Sequence, residues 1–316
     1  MFFGLSFPQE YVCLASEKIP ESLSLTMKVG ASEAIDVTAN HIFLGYKPLV
    51  FAIPFASDSP VVGELSDAES ITIDFRKSDV HKNHDHKVVA RMRLKRVEHS
   101  RFKETIVFFF QGVTGRHRFI SRFHQLTNRM RNRLGNDREG NVGLEGNLYD
   151  QVRIAYSIPR KINVITLSDG ELMNMFPTDL HGMASSNIYL GSLRIGGKAN
   201  QQVEKFGAIA LSQIESSDYR AAYELGKNHM QDLRSVELFH CHSKRSAKFG
   251  LPLPASALQY NELKLLQSLD IGIHRIHVYE IVHSDTIKKG SPLTHIHKYY
   301  AQWRLDHHLS TEFLFR

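Results

Sequence analysis

Between Ile162 and Asn200 the chain reads INVITLSDGELMNMFPTDLHGMASSNIYLGSLRIGGKAN, and this stretch limits the fold more than any other. Ile162 to Leu167 is a β-branched apolar run, and Ser168-Asp169-Gly170 is a turn signal that ends one antiparallel strand and starts the next. The returning strand, Glu171 to Phe176, meets Pro177, which has no amide proton to give a central ladder; the strand therefore loosens there or lies at an edge. A loosened strand exposes backbone amides together with Asn174 and Thr178, short polar groups suited to the edges of a planar heterocycle or to a phosphate. Ser185-Ser186-Asn187 then precedes another strand, Ile188 to Ile195, and Gly196-Gly197-Lys198-Ala199-Asn200 opens an amphipathic helix. Glycines followed by a lysine at a helix start suit an anion, because unpaired amides and the positive end of the helix dipole both face it.

This order of elements resembles the flavin reductase-like family, whose members bind FMN in a split β-barrel. Phe249 to Pro254, followed by Asp270 to Val282, is similar to that family's D-x-G-D-H turn and the strand after it, with Ile273 where the acidic residue usually stands. The resemblance covers Ile154 to Tyr300. It implies a mainly β fold with helices, an FMN cofactor with FAD as the alternative, and NAD(P)H as co-substrate. It places Asn174 and Thr178 on the isoalloxazine or ribityl chain and Lys198 and Asn200 on the phosphate, with the amides of Met175, Phe176 and Ala199 as further contacts. His229 falls where related proteins carry residues near the flavin face, either to orient a nicotinamide or to protonate a reduced flavin; the plainer reading is a surface histidine after a helix. The implied activity is an NAD(P)H-dependent flavin reductase or flavoredoxin-like oxidoreductase. No Gly-x-Gly-x-x-Gly fingerprint is present, so a nicotinamide would stack on the flavin itself. Two rival readings are a non-catalytic flavin-binding or sensing protein and a nucleic-acid-binding protein built on small barrels.

At 316 residues the chain has room for two domains. Gly135 to Asn147, rich in glycine and asparagine, reads as the linker, with 1–145 as a β-rich first domain and 146–316 as the flavin reductase-like barrel. Leu23 to Phe55 repeats the element order of Ile162 to Ile195, with Tyr46-Lys47-Pro48 introducing the apolar run Leu49 to Ile53. A degenerate duplication giving two barrels in tandem is one explanation, and the ordinary spacing of any small antiparallel barrel is the other. Asp58-Ser59-Pro60 stands where a second Gly-Lys-x-Asn would fall, so a first copy would have lost its phosphate site. Because flavin sites in this family lie between barrels, the resemblance implies either a homodimer or an intrachain pseudo-dimer.

No apolar run approaches the ~20 residues of a membrane span, and the N-terminal segment lacks a charged region before its apolar patch; a cytoplasmic protein is expected. Cys13 and Cys241 are too few for a disulfide framework. A formal charge of +6 suits an anionic ligand without requiring nucleic acid. Three histidine groups invite a metal reading: His81, His84 and His86 in a polar loop, His240-Cys241-His242, and His295 with His297. In each the solvated or packed alternative is simpler, and no metal is expected. Val88 to Val97 alternates apolar with basic residues, the signature of a strand with one wet face, and Thr105 to Phe110 is a fully apolar central strand. Arg116 to Arg133 reads as an amphipathic helix with an arginine-rich outer face. Contact with nucleic acid or an anionic membrane surface is one reading, and a helix connecting the two halves, its arginines solvated or paired with acidic groups, is the simpler one, so no membrane partner is expected.

Overall fold

The computed structural model describes residues 11–14, 23–77, 87–134, 143–308 and 314–315; the loop histidines His81, His84 and His86 lie outside them. The protein is mainly β with helices, as expected. A seven-stranded antiparallel sheet occupies the first half, in the spatial order Ile35–Asp36, Leu23–Val29, Ser70–Lys77, Val88–Phe102, Thr105–His117, Val50–Ala56, Ile42–Gly45. An eight-stranded sheet occupies the second half. From its far edge it runs Arg234–Ser235, Leu172–Thr178, Asn163–Ser168, Ala208–Ile214, Ala257–Ile271, His274–Thr286, Ile188–Arg194, His181–Met183.

Apart from the short edge strand Arg234–Ser235, the two sheets connect their strands in the same sequence. A helix follows the fourth strand of each, Val61–Asp67 in the first and Lys198–Phe206 in the second. The correspondence extends to irregularities. Val113 and Val282, each the ninth residue of its strand, are skipped in the pairing of the longest hairpins, and so are Val97 and Leu266, each the tenth. A bulge adds local twist and bends its strand, so matched bulges give the two sheets matched curvature.

Alternation sorts the residues of these strands. In Val88–Phe102, Ala90, Met92 and Leu94 are buried while Arg91, Arg93 and Lys95 are exposed. Thr105–His117 is buried on both faces from Ile106 to Phe110. Phe108 and Phe110 point into the core of the first sheet, whereas Val107 and Phe109 point the other way, towards the second sheet. There they join Ile42, Leu44, Val50 and Ala52, and meet Ile188, Leu190, Ile276 and Val278. The partners match by position: Val107 and Ile276 are third in their strands, Phe109 and Val278 fifth.

The second half also closes the first. Helix Leu148–Ala155 places Val152 and Ile154 in the core of the first sheet, and helix Lys298–Asp306 adds Tyr299, Tyr300 and Trp303. Phe119 meets the rings of Tyr300 and Trp303 edge-on at 5.8 and 6.0 Å. A small sheet of Tyr11–Leu14, Thr294–His297, Arg160–Lys161 and Leu314–Phe315 joins the chain's two ends.

The arginine-rich segment departs from its sequence reading. Arg116 and His117 finish a strand, and the helix spans Arg122–Leu134. Its orientation is also reversed: Asn128 is buried while Phe123, Leu126 and Met130 are exposed. Hydrogen bonds hold the polar side inward. Gln125 donates to the carbonyls of His117 and Ile120, and Arg129 pairs with Asp150.

Gly272 is a point of close backbone approach between the halves. Its φ is +62°, and a Cβ there would lie 2.3 Å from Pro48 Cδ and 2.4 Å from the Lys47 carbonyl oxygen. Gly272→Ala is expected to cost about 2 kcal/mol or more, from left-handed backbone strain and forced separation of the halves. Urea unfolding of the two proteins measures it; an unchanged midpoint would refute the close approach.

Candidate functional site

Where the two sheets meet, a cleft of about 480 Å³ opens beside the helix Lys198–Phe206. That volume lies within the range of small-molecule sites. Strand Leu172–Thr178 brings Thr178 to it, and the following residue, Asp179, forms part of its floor. Pro177 opposes Val164 on one side only, in the part of the strand that has no second neighbour, so the missing amide proton costs no ladder bond. Ser192, Leu193 and Arg194 end the strand Ile188–Arg194 at the cleft, and Gly197, Ala199 and Asn200 begin the helix there. The first half contributes Tyr46, and helix Leu148–Ala155 is followed by Tyr156, which also lines the wall.

Gly197 caps the helix with no side chain bonded to the first-turn amides, and a Cβ there would stand 3.3 Å from the Arg194 carbonyl oxygen. The helix therefore offers its positive end to the cleft. Arg194 adds a guanidinium that donates to the Tyr46 hydroxyl at 3.0 Å. Asn200 is 2% exposed, and its Oδ1 accepts from His277 Nε2 at 2.9 Å while Ser268 Oγ donates to His277 Nδ1. Burial pushes the His277 imidazole down to about 4, so it stays neutral with its proton on Nε2. The consequence is a fixed Asn200 amide whose NH₂ is its remaining donor, bonded only weakly at 3.5 Å to the Ile195 carbonyl.

Asp179 supplies the opposite charge. Burial alone would raise its carboxyl, but donors outweigh that and hold it at about 2: His295 Nε2 at 2.7 Å and the Tyr156 hydroxyl at 2.6 Å. His274, 1% exposed, is pushed down to about 4 by burial and then by the nearby Arg194 charge; its Nδ1 meets Ser192 Oγ and its ring stands edge-on to Tyr46 at 4.8 Å.

The residues singled out from sequence divide into two groups. Thr178, Ala199, Asn200 and His229 all line the cleft. Asn174, Met175 and Phe176 are buried at 0, 2 and 0% exposure and do not reach it. The polar edges of Asn174 are already used: Nδ2 donates to Gln202 Oε1 at 2.8 Å and the Asn228 carbonyl at 3.0 Å, and Oδ1 accepts from the Met175 amide. Asn174 is thus a staple between the strand, the helix and the segment Leu225–Met230. Lys198 points away and pairs with Asp232, both exposed. His229 donates from Nε2 to the Pro177 carbonyl at 2.7 Å and packs on Phe176, and burial lowers its basicity. Tyr46, Tyr156, Asp179, Arg194 and His274 were not legible as site residues. Among the described residues no cluster of three or more histidine, cysteine or acidic groups is placed to hold a metal, and no helix is long and apolar enough to cross a membrane.

His117, His274 and His277 are all buried, and each is held near 4 chiefly by burial. Their folded values lie below the unfolded value of about 6.5, so the unfolded chain binds more protons between about pH 4 and 6.5. Stability is therefore expected to fall as pH drops through that window, by up to about 1.4 kcal/mol per pH unit for each histidine. Denaturant titrations at pH 7, 6 and 5 check this, and a flat series would contradict it.

No family model matches the chain, and no curated protein matches it. Solved structures do. The NADH:FAD oxidoreductase SgcE6 of Streptomyces globisporus C-1027 is similar over 48% of this chain and 89% of its own, at 16% identity and a TM-score of 0.41. BorF, the flavin reductase component of a bacterial two-component tryptophan halogenase, covers 48% of this chain and 93% of its own, at 18% identity and a TM-score of 0.42. An FMN-binding protein from Thermus thermophilus covers 41% and 73%, at 17% identity and a TM-score of 0.36. About half of this chain is thus similar in structure to flavin reductases and FMN-binding proteins.

Proposed function

We propose that the chain binds FMN, with FAD as the alternative, in the cleft between its two halves and acts as an NAD(P)H-dependent flavin reductase or flavoredoxin-like oxidoreductase. The observation that carries this reading is the convergence of an open helix N-terminus, Arg194 and the Asn200 amide at one end of a cleft with apolar walls from Leu193, Pro177 and Met230. Those residues suit a planar ring that carries a phosphate. Arg194 and the amides of Ala199 and Asn200 would hold the phosphate, through charge-assisted hydrogen bonds. Thr178 and the Asn200 NH₂ would present donors to the ring or ribityl chain. A bound flavin supplies the two-electron chemistry. His229, with its Nε2 proton committed to Pro177, orients a ligand through Nδ1 and is not a proton donor. Asp179, held ionised beneath the cleft, keeps the phosphate at the Arg194 end by repulsion.

Both walls of this cleft belong to one chain, so the intrachain pair takes the place of a homodimer in this reading. Light scattering with flavin titration is expected to give a monomer with one flavin per chain; a dimer required for binding would exclude it. In the titration, Arg194→Ala is expected to weaken FMN binding roughly tenfold or more, as for the loss of a hydrogen bond to a charged group, and Asn200→Ala by roughly threefold to tenfold, as for the loss of a neutral one. Lys198→Ala should change it little, because that side chain is paired with Asp232. Wild-type protein that neither carries nor binds flavin would end the proposal. Flavin-loaded protein that fails to oxidise NADH or NADPH would favour a binding or sensing role.

A further inference from the structure

From Thr105 to Asn136 the sequence contains six arginines and no aspartate or glutamate. Within that run, the helix Arg122–Leu134 is mounted with its polar side against the protein. Gln125 and the buried Asn128 face inward, and the ion pair of Arg129 with Asp150 ties the helix to Leu148–Ala155. The outward side carries Phe123, Leu126 and Met130 at 67, 56 and 58% exposure. At 100° per residue these three fall within a sector of about 60°. Arg122 and Arg129 lie along one border of that sector and His124 lies beyond the other, while Arg116 and Arg118 are exposed just before the helix. Among the described residues, hydrogen bonds and an ion pair dock the helix, and the apolar stripe stays exposed. Exposed apolar side chains in a row mark an interaction surface.

We propose that this helix is a peripheral anchor that lies on an anionic membrane surface. Arginines beside large apolar side chains, with Asp150 held on the inward side against Arg129, match a layer whose surface is negative and whose interior accepts hydrocarbon. A nucleic acid would satisfy the arginines and leave Phe123, Leu126 and Met130 in water. The helix lies on the bilayer and does not cross it, consistent with its length of 13 residues. This assignment does not depend on the flavin reading.

The test is flotation of the full-length protein with vesicles of phosphatidylcholine alone and of phosphatidylcholine with phosphatidylglycerol. Two variants accompany it, one carrying Phe123→Ser, Leu126→Ser and Met130→Ser, the other Arg116→Gln, Arg118→Gln and Arg122→Gln. All six side chains are exposed, so both variants keep the wild-type melting profile. Wild type is expected to partition onto the anionic vesicles, and each variant to lose roughly tenfold or more of that partitioning. Absence of wild-type binding overturns the proposal. So does binding that the serine variant retains, which would be electrostatic adherence alone. Salt-dependent binding to single-stranded polynucleotide without vesicle binding, or self-association in light scattering that the serine variant abolishes, assigns the surface to another occupant and equally overturns it.

Discussion

The mutual burial of two outward sheet faces, Val107 and Phe109 on one and Ile276 and Val278 on the other, is the contact on which the rest depends. Each sheet has its own inner core, but neither could leave those outer faces in water without exposing a large apolar patch. Pressing them together sets the distance between Gly272 and Pro48, brings Tyr46 against His274, and opens the cleft at the rim. The candidate site is therefore a by-product of sheet packing, and no single half contains it.

Inside the cleft, charge is placed by neutral histidines as much as by ions. Burial keeps His274 and His277 neutral, and one leans on Ser192 while the other fixes the Asn200 amide. The carboxylate on the floor, Asp179, stays ionised because two donors reach it. The cleft thus has a negative floor and a positive rim made by Arg194 and the helix end, an arrangement that orients a dipolar ligand before any specific contact forms.

Much of the fold was readable because strands of period two, such as Val88 to Val97, and wholly apolar runs, such as Thr105 to Phe110, announce themselves. The site was only half readable. In strand Leu172–Thr178, Asn174 and Thr178 share a face, and sequence gave no reason to separate them. The difference is tertiary: the helix Lys198–Phe206 and the segment Leu225–Met230 cover Asn174, while Thr178 emerges past their edge. Lys198 misled because its spacing from the glycines was right, but its side chain turns to Asp232. Tyr46 and Tyr156 come from distant parts of the chain, and no local pattern announces a cleft wall. For the arginine-rich helix, periodicity revealed an apolar face without revealing which way it points.

The two hairpin tips at Lys103 and Gly272 occupy equivalent places in the two sheets, and both have positive φ, +40° and +62°. Only the second is pressed against the opposite half, at Pro48; the cleft beside the first, lined by Lys103, Met183 and Ser185, is wide. In a symmetric pair of identical chains every substitution lands twice, so a residue that tightens one contact must also be tolerated at its mirror image. With both sheets on one polypeptide it lands once. A glycine can close one corner while a lysine leaves the other open, and the molecule is free to specialise one rim without altering its counterpart.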